Sequence, residues 1–154
     1  MVRAIMHGCN GHMGQVITQL VREDDGIEIV AGIDLADNRD NGYPVYTDIW
    51  ACQEEADVII DFAAAKATDE LLKYGVERQI PMVLCTTGLS PEQLEAVEAA
   101  SQKVAVLKSA NMSVGVNMLL KILQDTAKVL APAGFDIEFV EKHKIRNFDS
   151  EISG

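Results

Sequence analysis

The chain has 154 residues, 48% of them hydrophobic, three cysteines and a formal net charge of −11, enough to bury one core while leaving little for a complete second domain. The acidity argues against nucleic acid, whose phosphates need a basic face, and equally against an anionic membrane surface. No uninterrupted apolar stretch approaches the roughly 20 residues that span a bilayer, and the first residues read as a strand rather than a signal peptide, so the expected location is the cytoplasm.

An apolar run over 2–6 predicts the first strand and an amphipathic run over 15–21 the first helix. Between them lies Gly8-Cys9-Asn10-Gly11-His12-Met13-Gly14. A glycine turn from strand to helix can cradle phosphate, because backbone N–H groups and the positive helix end face the anion and glycines keep side chains out of the way. Aligned on Gly11 and Gly14, the motif carries Cys9 at its first glycine position, so Gly8 supplies the flexibility one residue earlier. A second strand is expected over 27–33, ending at Asp34, twenty residues after Gly14. An acid there can accept bonds from the adenine ribose hydroxyls. A purely structural turn would explain the glycines but not this acid. Polar connectors at 24–26 and 37–42 bound the second strand, the latter where the adenine end of a dinucleotide would lie.

Strand and helix patterns then alternate: strand 57–62, helix 66–78, strand 81–85, helix 91–102 and strand 104–107. Such alternation predicts an α/β fold, a Rossmann-like doubly wound and mostly parallel sheet with helices on both faces. Ser90, Pro91 and Gln93 form a capping-box signature for the helix over 91–102. A long helix is expected over 118–130. Two loops fall at the carboxyl edge of the sheet, where open α/β sheets bind ligands: Cys85-Thr86-Thr87-Gly88, and Ser109-Ala110-Asn111-Met112-Ser113-Val114-Gly115-Val116-Asn117. Both suit the nicotinamide half of a cofactor, although turn chemistry and capping by Ser109 or Ser113 would also account for the second. The odd, widely spaced Cys9, Cys52 and Cys85 suggest reduced thiols, with neither a disulfide framework nor a zinc site. Cys9 stands where a helix terminus favours thiolate, but a small residue in a crowded turn serves equally well, and no catalytic role is assigned to it.

Four separated pieces, the glycine heptad, Asp61-Phe62, Cys85-Thr86-Thr87-Gly88-Leu89-Ser90 and the Ser109 to Asn117 stretch, agree in order and spacing with one family. The chain resembles the 4-hydroxy-tetrahydrodipicolinate (dihydrodipicolinate) reductases of the diaminopimelate route to lysine, from residue 1 to about His143. The resemblance implies a dinucleotide-binding domain over 1–131 and, over 132–154, the start of a substrate and oligomerisation domain. It assigns Gly8, Cys9, Asn10, Gly11, His12 and Met13 to the cofactor pyrophosphate, Asp34 to the adenosine ribose, Cys85, Thr86 and Thr87 to the nicotinamide side, and Ser109, Ala110, Asn111 and Met112 to a loop closing over it. NADH is the expected preference, since an acid at Asp34 disfavours the 2′-phosphate of NADPH. Arg39 leaves NADPH possible. The family's polar stretch after Asp61-Phe62 is replaced by Ala63-Ala64-Ala65.

In such enzymes a hydride passes to the imine of a cyclic dicarboxylate, and a cationic acid supplies the proton. The family places its acid after a strand like the stretch over 135–141. Here His143 keeps the place of the first histidine, Lys144 replaces the second, and Asn147 occupies the place of the catalytic lysine. His143 is therefore the single catalytic candidate, and substrate-binding residues are not identifiable. The tail reads as a shortened or altered form: the implied homotetramer is built by a second domain, and cofactor binding with little or no turnover is expected. The alternative is a non-catalytic nucleotide-binding or interaction module that retains the fold.

Overall fold

A computed structural model describes residues 1–138 and 140. The chain divides into two compact units, Met1–Met112 and Ser113–Gly154, and each is described by itself.

The first unit contains one six-stranded parallel sheet in the order β3-β2-β1-β4-β5-β6. Its strands are β1 (Val2–His7), β2 (Ile27–Ile33), β3 (Val45–Tyr46), β4 (Val58–Asp61), β5 (Met82–Leu84) and β6 (Val106–Lys108). The helices are α1 (His12–Val21), α2 (Thr68–Arg78) and α3 (Pro91–Ser101), with short 3-10 turns at Ile49–Ala51 and Ala65–Ala67. From β1 the chain winds outward through β2 and β3, then returns to add β4, β5 and β6 on the other side. Right-handed crossovers running in opposite directions put α1 on one face and α2 and α3 on the other. The reversal leaves a crevice at the carboxyl ends of β1 and β4, the usual ligand position in an open α/β sheet.

The fold is the Rossmann-like one that the alternation predicts. Ala4, Ile5 and Met6 of the central strand are completely buried, as a parallel strand covered on both faces requires. Ile5, Ile59, Leu71, Tyr74, Met82 and Leu84 form the middle of the core. The predicted capping box is present: Gln93 N donates to Ser90 Oγ at 3.2 Å and Ser90 N donates to Gln93 Oε1 at 3.1 Å. The two-residue β3 has no pattern in sequence, because two residues cannot show a period. Pairing of Val45 and Tyr46 with Gly32 and Ile33 creates it.

In the second unit α4 runs over Val114–Leu130, four residues earlier than the apolar pattern predicts. Ser113 sets the start: its Oγ accepts the Val116 N–H at 3.4 Å. The strand implied over 135–141 is not formed at 135–138 or 140, which lie outside regular structure. A strand needs a neighbour to take its backbone hydrogen bonds, and no described strand pairs there. Among the described residues no helix is long and apolar enough to cross a membrane.

Candidate functional site

The glycine turn leaves β1 at His7 and enters α1 at His12. Gly8 has φ +81°, and a Cβ on it would stand 2.9 Å from Phe62 C, Phe62 O and Ala63 N, so only glycine lets β1 and β4 close together here. A Cβ on Gly14 would overlap Gly8 O and the Cys9 backbone, which is why α1 can start directly on the turn. Most of the turn's N–H groups are used within the chain. Gly8 N and Cys9 N donate to Ile33 O at 2.8 and 3.4 Å, and Gly11 N donates to Gly8 O at 3.2 Å. Asn10 N donates to Asp34 Oδ2 at 2.7 Å. The expectation that the turn faces an anion then rests on the positive end of α1 more than on the N–H groups of Gly8, Cys9, Asn10 and Gly11.

Asp34 thus does more than end β2. Its Oδ1 accepts Leu35 N at 2.7 Å while Oδ2 holds the turn through Asn10, and each carboxylate oxygen retains a lone pair. The Asn10 side chain is fixed as well, donating to Ala36 O at 2.6 Å and accepting from Asn41 Nδ2 at 2.9 Å. Gln15 Nε2 closes this network on Asn41 Oδ1 and Cys9 O. Turn, acid and the loop after β2 are one hydrogen-bonded assembly. Nothing in the sequence marks Asn41 for this role, since an asparagine in a polar connector carries no distinguishing pattern.

The Cys9 thiol is fully buried against Gly32. Burial, with the Asp34 carboxylate adding to it, pushes its pKa up to about 11, so the helix terminus does not produce a thiolate. Burial and the Asp61 carboxylate likewise push Cys85 up.

At the ends of β1, β4 and β5 a second polar group lies inside the protein. Asp61 is 1% exposed. Its Oδ1 accepts from His7 Nδ1 at 2.7 Å and from Ala63 N at 3.1 Å, and its Oδ2 accepts from Thr86 Oγ1 at 2.5 Å. Cys85 and Thr86 are accordingly buried, leaving Thr87 and Gly88 exposed at the loop. Ser109 is tied to this edge by its N–H, which donates to Leu84 O at 2.9 Å. Ala110, Asn111 and Met112 follow it as exposed residues. His143 lies outside the described residues. Asp61 and Thr86 stand in separate sequence motifs. Nothing in their spacing joins them to His7, because the link runs across three strands.

A cavity of about 460 Å³ opens beside the turn, lined by Gly8, Gly11, Asp34, Leu35, Trp50, Phe62 and Ala63 among others. His7 and Ile33 form part of its wall, and Asp48, Lys66 and Glu70 supply further charges. Trp50 is oriented by donating Nε1–H to Glu70 Oε2 at 3.0 Å and by edge contact with Tyr74. The cavity combines apolar walls with a few fixed polar groups, the usual make-up of a cofactor pocket. Among the described residues no cluster of His, Cys, Asp or Glu is placed to hold a metal ion.

The family model for the dihydrodipicolinate reductase N-terminus matches residues 2–112. The chain belongs to this family. Family relatives named 4-hydroxy-tetrahydrodipicolinate reductase include one from Caldanaerobacter subterraneus subsp. tengcongensis, 48% identical over 93% of this chain and 56% of its own length. One from Clostridium tetani is 41% identical over 97% of this chain and 58% of its own. The chain thus spans a little over half the length of the curated relatives it matches. In three dimensions it is similar to the dipicolinate-bound dihydrodipicolinate reductase of Paenisporosarcina sp. TG-14, with TM-score 0.74 and 22% identity over 84% of this chain and 54% of that one. The same fold recurs in myo-inositol 2-dehydrogenase from Lactobacillus plantarum, TM-score 0.64 and 18% identity over 83% and 42% of the two chains.

Proposed function

We propose that this chain is the cofactor-binding part of a 4-hydroxy-tetrahydrodipicolinate reductase, taking a nicotinamide dinucleotide with NADH preferred over NADPH. The observation that carries the reading is the Asp34 carboxylate at the end of β2, bonded to Asn10 N of the glycine turn beside the β1/β4 reversal. It joins a ribose acceptor and a phosphate cradle in one rigid unit. The fit is supported by the close backbone packing of the turn, which a Cβ on Gly8 or Gly14 would break, and by a cavity with mainly apolar walls. In this reading the start of α1, with Gly11, His12 and Met13, meets the pyrophosphate, while Gly8, Cys9 and Asn10 shape the turn. Asp34 takes the adenosine ribose. Cys85, Thr86 and Thr87 border the nicotinamide, with Ser109, Ala110, Asn111 and Met112 covering it. The dinucleotide domain is taken to run over 1–131, as the resemblance implies.

Preference for NADH follows from charge. Among the described residues three carboxylates, Asp34, Asp48 and Glu70, share the cavity wall with one ammonium, Lys66. A 2′-phosphate beside Asp34 would be repelled across a short distance. Arg39 and Lys66 are the cations from which NADPH would draw compensation.

The bound cofactor supplies a hydride, and the whole enzyme delivers it to a cyclic dicarboxylate imine in the cytoplasm, as a homotetramer. His143 is the candidate proton donor. For this chain alone we expect cofactor binding with little turnover. Calorimetric titration with NADH and NADPH tests the reading. Saturable binding, stronger for NADH, is expected, and Asp34→Ala should weaken NADH about a hundredfold through loss of two charge-assisted bonds. A folded chain that binds neither nucleotide would sink the reading. Reductase activity on supplying a relative's second half in trans would distinguish it from a non-catalytic module.

A further inference from the structure

His7 is an unusual side chain for its position. It follows the fully buried Ala4, Ile5 and Met6 and stands in register between Ile33 of β2 and Asp61 of β4, where an aliphatic residue would pack without polar cost. It is 6% exposed, yet it belongs to the wall of the cavity and is the last residue before the glycine turn. Its Nδ1 faces an Asp61 oxygen at 2.7 Å. Asp61 takes its other bonds from the Thr86 hydroxyl and Ala63 N, so it acts as an acceptor throughout and His7 carries its proton on Nδ1. Among the described residues Nε2 has no protein partner. A histidine held at one nitrogen by a buried carboxylate has its ring orientation and tautomer fixed, leaving the other nitrogen for chemistry.

We propose that His7 is a further ligand-binding residue of this cavity: oriented by Asp61, its imidazolium donates Nε2–H to an oxygen of the bound dinucleotide, so affinity rises as pH falls. The inference rests on the dinucleotide reading above. Asp61 from β4, Asp34 after β2, Asp48 before the first 3-10 turn and Glu70 of α2 are carboxylates, and among the described residues Lys66 before α2 is the one lysine or arginine in the cavity wall. Cys85 at the end of β5 and Cys9 in the turn have thiols pushed up by burial. Both stay neutral where a histidine changes charge, between about pH 5 and 8. A ligand that accepts a bond from the charged ring binds that form more tightly, and binding then takes up a proton.

The test is calorimetric titration of the chain with ADP-ribose and with NADH from pH 6 to 8, in two buffers of different ionisation enthalpy. ADP-ribose keeps adenosine and pyrophosphate without the nicotinamide. Wild type should tighten about tenfold over this range, the worth of one charge-assisted bond, with proton uptake. His7→Gln should bind with a flat profile and no uptake. Nitrogen-15 spectra of wild type give a readout that needs no variant to fold. They should show His7 protonated at Nδ1 without ligand and its Nε2 resonance moving on ADP-ribose addition. A flat wild-type profile, an unmoved Nε2, or a slope that survives in His7→Gln overturns the role of His7 and leaves the dinucleotide reading standing. A folded wild type that binds neither ADP-ribose nor NADH overturns both.

Discussion

Removing the Asp61 carboxylate should cost far more than changing its charge, and the difference measures how much of the sheet's carboxyl edge depends on one acceptor. In Asp61→Ala, His7 Nδ1 and Ala63 N lose their partner, whereas Thr86 Oγ1 keeps Ala63 O at 2.9 Å. Two orphaned groups at about 1–3 kcal/mol each, plus a small cavity in a site 1% exposed, give an expected loss of about 4 kcal/mol. Asp61→Asn retains an acceptor oxygen for His7 and Ala63, and its amide can donate to the Thr86 hydroxyl, which turns to Ala63 O. About 1 kcal/mol is expected for that variant, since shape and bond count survive. Thr86→Val should fall near 2 kcal/mol, as it leaves one carboxylate oxygen without its donor. Urea unfolding followed by the fluorescence of Trp50, the single tryptophan, reports on the unit that contains the network. Equal losses for Asp61→Asn and Asp61→Ala, or a loss below about 1 kcal/mol for Asp61→Ala, would show that the buried bonds are not what holds these strand ends.

Gly8→Ala combines a strained φ with contact on Phe62 and Ala63, and should destabilise the chain by about 3 kcal/mol in the same urea assay. Ser90→Ala removes the acceptor of Gln93 N at 3.2 Å and should cost about 1 kcal/mol, readable as a lower urea midpoint with unchanged slope. For the thiol of Cys9, pushed up to about 11, the thiolate fraction at pH 8 is about two hundredfold below that of a free cysteine. Modification of the native chain by an aromatic disulfide should be at least that slow at Cys9 and become fast in urea. Rapid native labelling of Cys9 would contradict its burial.

The sequence by itself determined the alternation of strands and helices, because each element carries its own period and its own punctuation. Ser90 and Gln93 mark the start of α3 by chemistry that acts within four residues. Gly8, Gly11 and Gly14 mark a turn that must let backbone approach backbone, and Asp34 follows at a spacing set by one helix and one strand. What tertiary structure decided are the relations between residues far apart in the chain. Val45 and Tyr46 become a strand when β2 offers them an edge. Ser113 fixes the start of α4 where apolar periodicity would place it a turn later. Asp34 fastens the glycine turn 24 residues away, and His7, Asp61 and Thr86 meet across three strand ends. Local rules are written in spacing and can be read along the chain. A carboxylate's partners are set by sheet order, which depends on how all the strands bury their faces together.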